Sequence, residues 1–263
     1  MVQNGILSIY VVLRGDIMRR FFTEPMNICD GKIRIVEDAS HITKVLRMSE
    51  GDEVIVFDGT GKEYRARLDM ISPKECLASV VSEEFSSAEP SVKVSVFQGI
   101  PKSGKMETII QKVVELGAYQ IVPVEMERCV VKLDGKSRVE KAKRWNKVSV
   151  EAAKQCGRSV IPKVLEPVEY DKALEMMSEL DLAIMPYEVL GHDGEKGLKE
   201  LLQSFNGKSV GVIIGPEGGF SDKEAENAKN RGIKQIGLGK RILRTETVAS
   251  AIVPIIMYEK DEI

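Results

Sequence analysis

The period of the hydrophobic pattern changes near residue 89, and one layer architecture cannot satisfy both halves. From Met18 to about Glu84, apolar and polar residues alternate in short runs broken by turn signals, as in "GKIRIVED", "GDEVIVFDGTGKEYRARLDMI" and "ECLASVVSE". Such alternation marks strands with one buried face. Asp58-Gly59 between two β-rich runs is a hairpin signal. This part therefore reads as a small β-barrel with one helix-like insert, "DASHITKVLRM". Residues 83–91, "EEFSSAEPS", lose the alternation and gain Ser and Pro, as a linker does. Beyond them, apolar runs ("VKVSVFQGI", "YQIVPVE", "LAIMPYE", "VGVIIGPE", "QIGLG") alternate with helical repeats ("KMETIIQKVVELGA", "RVEKAKRWNKVSVEAAKQCG"). That order predicts an α/β domain on a mostly parallel sheet. A chain of 263 residues is long enough for both. Residues 1–17 read as an extension, because "MRRFF" from Met18 has the look of a natural chain start.

Composition removes several classes of chemistry. Lys and Arg total 38 against 40 Asp and Glu, so bulk charge does not announce a nucleic-acid partner and any basic surface must be local. Cys29, Cys76, Cys129 and Cys156 lie far apart without a CxxC pair, which reads as buried thiols of a reduced, cytoplasmic protein and not as a zinc site. With only His41 and His192, neither a His-based triad nor a multi-His metal centre is expected, and no metal is assigned. "ILSIYVVL" is too short to span a bilayer and lacks the basic segment of a signal peptide, so no membrane association is expected.

Three loops follow apolar strands in the second half. In "IIGPEGGFSDKE", residues 213–224, the strand "SVGVI" runs into a glycine-rich turn, and Ser221 with Glu224 has the spacing of a capping box opening a helix. "LGKRILRTETVASA", Leu238 to Ala251, leaves a strand at Gly239. It crowds Arg, Glu and Thr into a short loop and starts a helix near Thr247, with Val248, Ala251, Ile252, Ile255 and Ile256 on its apolar side. "IMPYE", 184–188, ends a third strand with proline and glutamate. In one parallel sheet such loops meet above the same edge, where ligands bind, and their glycines let backbone amides approach a ligand closely. An ordinary βα turn and a surface Arg244–Glu246 ion pair are the plain alternatives.

"GIPKSGKM", Gly99 to Met106, imitates a phosphate loop up to the lysine, then places Met106 where magnesium binding needs Ser or Thr. Lys102 and Lys105 there remain candidates for phosphate contact at a helix start. A basic run from Lys132 to Lys147 is either a solvated helix face or a phosphate-contact surface, and Trp145 within it reads as a packing anchor. In the first half, Arg19, Arg20, His41, Lys44 and Arg47 stand among apolar or aromatic neighbours, a mixture that suits RNA. The competing assignment buries Phe21 and Phe22 in a strand and leaves the arginines as its flanks.

Taken together, "MRRFF", "HITKVLRMSEGDEV", "IPKSGKMETIIQKVVELG", "RWNKVSVEAAKQCGRSVIP", "IIGPEGGFSDKE" and "LGKRILRTETVASA" resemble the blocks of the RsmE family, in that family's order. These are bacterial 16S ribosomal RNA uridine N3 methyltransferases of the SPOUT superfamily. The likeness runs from Met18 to the C-terminus, with Val248 beside Ala249 a conservative variation. It implies a PUA-like β-barrel over 18–88, for RNA recognition, and a SPOUT domain with a deep trefoil knot over 89–263. It also implies a homodimer acting on 16S rRNA within the small ribosomal subunit, with S-adenosylmethionine as cofactor. The cofactor would be held by Met185, Pro186, Gly215, Pro216, Glu217, Gly218, Gly219, Leu238, Gly239, Ile242, Leu243 and Thr245. Arg158 joins Lys102, Lys105 and the first-half cations as an RNA contact. For catalysis, Arg244 is expected to stabilise negative charge on uracil, and Glu246 or Glu217 to take the N3 proton if burial raises its pKa. A P-loop-like nucleotide hydrolase and a non-enzymatic ribosome-binding protein with a vestigial pocket are the rival functions.

Overall fold

The structure, a computed structural model, describes residues 10–13, 16–86, 88–102, 104–188 and 197–263, with side chains from Met18 onward. His192 lies outside the described residues. The chain divides into two compact units, residues up to Glu89 with Val150–Ile161, and Pro90–Ser149 with Pro162–Ile263. Val150–Ile161 thus packs with the first unit although it follows residue 89 in the chain. The hairpin loop captures that segment through Gly61 N–H to Ser159 O at 3.1 Å, Ile161 N–H to Gly59 O at 3.2 Å and a bridge between Thr60 and Val160. The turn read from Asp58-Gly59 thus has a second partner that the local pattern does not reveal.

In the first unit, β1 (Tyr10–Leu13), β2 (Asp16–Phe22), β3 (Ile28–Cys29), β4 (Lys32–Ile35), β5 (Glu53–Phe57), β6 (Lys62–Ile71) and β7 (Cys76–Phe85) form one sheet in the order β1-β2-β5-β6-β7-β4-β3. Part of the expected extension is thus a strand, paired antiparallel to β2. Alternation works as the sequence implies: along β4, Ile33 and Ile35 are buried while Lys32 and Arg34 face water. The inward residues, among them Phe21, Ile42, Val54, Val56 and Leu68, form the core. The helix-like insert is a single turn of π-helix, His41–Val45.

The second unit contains β8 (Lys93–Gly99), α1 (Lys105–Glu115), β9 (Gln120–Glu125), α2 (Gly135–Cys156, whose last residues belong to the first unit), β10 (Lys163–Val164), β11 (Val168–Glu169) and α3 (Tyr170–Ser178). There follow β12 (Leu182–Pro186), α4 (Leu198–Ser204), β13 (Ser209–Ile214), α5 (Asp222–Asn230), β14 (Lys234–Ile236) and α6 (Thr245–Glu259). The sheet order is β10-β9-β8-β13-β12-β14 with β11 also on β9, and every pairing is parallel. The central strands β8 and β13 are buried almost end to end, which is why they read as unbroken apolar runs. Parallel pairing sends the carboxyl ends of β8, β12, β13 and β14 to one edge, so the loops that follow them gather there. Helix α6 begins at Thr245, two residues earlier than expected, and its inward stripe is Ala249, Ile252, Val253, Ile256 and Met257. Ile255, expected inside, is 44% exposed. Burial of the Thr245 hydroxyl against the sheet sets the helix rotation, and apolar spacing alone left two adjacent stripes equally possible.

Candidate active site

The "GPEGG" loop is shaped by its helix. Ser221 Oγ accepts the Glu224 amide at 3.3 Å and the Glu224 carboxylate accepts the Ser221 amide at 2.9 Å, completing the capping box. Glu224 is buried, and its second oxygen accepts the Glu127 amide at 2.8 Å, so the cap also ties down the chain after β9. Within the loop, a Cβ on Gly219, whose φ is +66°, would stand 3.0 Å from the Glu188 carboxylate. One on Gly218 would meet Arg128, whose guanidinium donates to Gly218 O at 3.0 Å. These glycines are needed because neighbouring chain comes to van der Waals contact with the backbone.

Thr245, the first residue of α6, joins three elements. Its buried hydroxyl donates to Gly215 O at 2.7 Å and accepts from the Gln98 amide at 2.8 Å, linking the ends of β8 and β13 to the start of α6. The phosphate-loop imitation packs against the same place. Gly99 lies so close to Pro216 that a Cβ would be 2.7 Å from its nitrogen, and the Lys102 amide donates to Glu217 at 3.1 Å. Lys105 Nζ lies 3.2 Å from Glu217 and 3.3 Å from Glu246. The cation that a P-loop would direct at phosphate is held by two carboxylates.

These contacts enclose a cavity of about 410 Å³, within the range of small-molecule sites. The β13 loop supplies Gly215 to Phe220, the loop before α6 supplies Ile242 to Glu246, β12 and its loop supply Pro186 and Glu188, and Lys105 closes one wall. Of the expected cofactor residues, Pro186, Gly215, Pro216, Glu217, Gly218, Gly219, Ile242, Leu243 and Thr245 come together around it. Met185, Leu238 and Gly239 do not line it, and Met185 is wholly buried in the core beneath. Side chains alternate along β12, so Met185 and Pro186 cannot both face the cavity. The expected set lacked Glu188, Ile214, Phe220 and Val248, although Glu188 closes the "IMPYE" segment. Among the described residues no group of three or more His, Cys, Asp and Glu side chains is arranged to hold a metal.

Charge inside the cavity differs from expectation. Burial pushes the Glu217 carboxyl up, but backbone hydrogen bonds and Lys105 outweigh it and leave the group below its ordinary value. Glu246 is also held below its ordinary value, first by its own backbone amide and then, against the opposing effect of burial, by Lys105 and Arg244. The Glu217 and Glu246 carboxylates in turn hold the Lys105 ammonium above its usual range. Both carboxylates are therefore ionised at neutral pH, contrary to a base whose pKa burial has raised. Arg244 stands at the N-cap position of α6 without a side-chain capping bond, is exposed and faces the same cavity.

The cations expected to meet RNA divide into two sets. Arg20 is buried, 3.0 Å from Glu63, bonded to Ser159 Oγ at 2.9 Å and stacked over Phe57. Arg158 is buried and bonded to Glu89 at 2.7 Å. A buried cation has to be paired, and these two are committed to holding 157–161 in the first unit, with Lys105 similarly committed in the second. Lys44 and Arg47 are exposed, His41 and Arg19 are half-buried, and the Lys102 side chain is exposed. Arg47 has a φ of +51° directly after the π-turn, and both are unusual backbone states for such residues.

A family model for an RNA methyltransferase domain matches residues 88–257, and one for an RNA methyltransferase PUA domain matches residues 36–81. The Ribosomal RNA small subunit methyltransferase E of Bacillus subtilis is 35% identical over 227 residues, covering 86% of this chain and 89% of that protein. Two solved structures are similar throughout. The putative methyltransferase Lpg2936 of Legionella pneumophila, in complex with SAM, has a TM-score of 0.81 at 30% identity, covering 91% of this chain and 96% of that one. The Ribosomal RNA small subunit methyltransferase E of Neisseria gonorrhoeae, bound to S-adenosyl methionine, has a TM-score of 0.79 at 30% identity, covering 92% and 97%.

Proposed function

The chain belongs to the ribosomal RNA small subunit methyltransferase E family, and from that premise we propose that it methylates N3 of one uridine in 16S ribosomal RNA, using S-adenosylmethionine. The observation that carries this reading is the cavity, where glycine backbone from one loop and Arg244 from another face a single space. Its residues fit the cofactor: Ile214, Phe220, Leu243 and Val248 offer apolar walls for a purine, while the glycine loop leaves main-chain groups within reach. Glu188 at the rim offers an acceptor for hydroxyls.

S-adenosylmethionine supplies an electrophilic methyl group on a sulfonium. The protein's own task is to align uracil N3 with that methyl and to favour the uracil anion, because N3 is a poor nucleophile until its proton leaves. Alignment of this kind contributes on the order of 7 to 11 kcal/mol. Arg244, held by the start of α6 and turned to the cavity, stabilises negative charge spreading onto a uracil oxygen. Glu217 and Glu246 are ionised and fix Lys105, and with it the loop after β8, against the cavity. Held at lowered pKa, they are weak bases, so the N3 proton leaves to water.

The first unit grips the RNA through Lys44, Arg47 and His41, with the second performing the chemistry. The deep trefoil knot belongs to the same reading, supported by the position of β12 between β13 and β14 and by the return of Thr245 to Gly215. So does the homodimer, supported by the outward apolar face of α6, where Ile255 and Tyr258 are 44% and 71% exposed. A cytoplasmic location belongs to the same reading, supported by action on rRNA of the small subunit. No helix among the described residues is long and apolar enough to cross a membrane.

The test is transfer of labelled methyl from S-adenosylmethionine to small ribosomal subunits lacking the modification, with mass spectrometric mapping of the product. N3-methyluridine at one position is the expected result, and Arg244→Ala should lower the rate roughly a hundredfold with little change in cofactor affinity. Cofactor binding without transfer to any RNA would return the chain to a binding role.

A further inference from the structure

Helix α2 carries charge that no contact in the fold uses. One of its faces is spent on packing, with Ala142, Trp145 and Ser149 buried. Outward, at the spacing of a single helical face, stand Lys136, Glu140, Lys143 and Lys147, with Arg144 beside them, all exposed. Lys143 and Lys147 have no acidic partner among the described residues. In a chain with 38 basic and 40 acidic residues this is a distinct local excess.

Arg144 connects that face to the cavity. Its guanidinium lies 3.0 Å from Glu107, in the first turn of α1, two residues after the Lys105 that closes the cavity wall. Lys102, whose side chain is exposed, stands just before the same turn. Lys102, before the start of α1, and Lys143 and Lys147, beside the Glu107-paired Arg144, thus all belong to the second unit, as the cavity does.

Resting on the methyltransferase reading, we infer that this outer face of α2 holds the phosphodiester backbone of the RNA strand whose uridine enters the cavity. It is a second nucleic-acid surface, separate from the first unit. Charge complementarity selects the occupant: a solvated helix face gains little from unpaired like charges, whereas each phosphate they neutralise releases counterions.

The variant Lys143→Ala with Lys147→Ala removes the two unpaired charges and keeps good helix formers in place. Lys199→Ala with Lys223→Ala, exposed on α4 and α5, makes the same change in net charge elsewhere. Binding to protein-free 16S rRNA transcript is measured between about 50 and 200 mM salt, alongside S-adenosylmethionine affinity. The α2 variant should bind roughly tenfold more weakly near physiological salt, with a salt slope shallower by about 1.4, as for two lost contacts to single-stranded phosphate. Its cofactor affinity should be unchanged. The inference is overturned by an unaltered slope, by an equal loss in the α4/α5 variant, or by an effect seen only with assembled subunits, which would make the partner an acidic protein. A parent protein that binds transcript and cofactor yet methylates nothing would strike the functional reading, and the slope comparison would still decide this surface.

Discussion

Two glycine-bearing loops leave neighbouring strands of the same sheet, and only one of them encloses a site. The loop after β13 turns backbone from Gly215 to Gly219 toward the cavity, while the loop after β8, which looks more like a nucleotide motif, serves as its brace. The difference lies in which loop turns its backbone to the cavity. In the brace, the Lys102 amide and the Lys105 ammonium are taken by Glu217 and Glu246. In the loop after β13 Gly215 to Gly219 line the cavity, although Gly215 O, Gly218 O and the Gly219 amide are themselves hydrogen-bonded to Thr245, Arg128 and Pro216. A glycine-bearing loop therefore marks a site through the backbone it turns to a cavity and not through its likeness to a nucleotide motif.

The contrast can be broken most severely at the contact between the loops. Gly99→Ala forces a Cβ to within 2.7 Å of Pro216, with an expected cost near the upper end of the 1–3 kcal/mol typical of overpacking, about 3 kcal/mol. Thermal unfolding measures that cost, and S-adenosylmethionine titration should show weakened binding although no cavity-lining residue was changed. Unaltered affinity would mean that the brace does not shape the cavity.

Thr245→Val is the next largest. It removes a hydroxyl that serves both Gly215 and Gln98, leaving the Gly215 carbonyl without that partner and the Gln98 amide with only its bond to Gly99 O. The expected loss is about 2 kcal/mol by denaturant unfolding. Thr245→Ser, which keeps the hydroxyl, should recover most of it.

Lys105→Met gives the smallest effect and sharpens the comparison through pH. The carboxyls of Glu217 and Glu246 are held below their ordinary value of 4.5 in the folded protein. The stability they contribute is present above that value and lost as pH falls through the lowered folded-state values. The stability difference between parent and variant should accordingly be full at neutral pH and shrink through the acid limb. A difference independent of pH would show that Lys105 acts through packing of its stem and not through the ion pairs.

Much of this was legible in residues close together along the chain. The capping box of Ser221 and Glu224, the Asp58-Gly59 turn, the continuous apolar runs of β8 and β13, and the gathering of loops at one sheet edge all follow from local spacing and strand direction. The cofactor residues expected in the β13 loop and at the start of α6 do line one cavity. Glu188, Ile214, Phe220 and Val248 were missed because local spacing does not say which side chains turn toward the cavity.

The amino-acid sequence by itself determined the period of each segment and the helix start at Ser221, since these depend on groups a few residues apart. The tertiary structure alone decided how charges are spent. Arg20 and Arg158 close onto Glu63 and Glu89 and not onto RNA, and Lys105 finds a carboxylate 141 residues away. It also decided which stripe of α6 is buried and that Val150–Ile161 joins the first unit. Pairing of this kind is set by burial and distance between remote segments, quantities that no window of sequence contains.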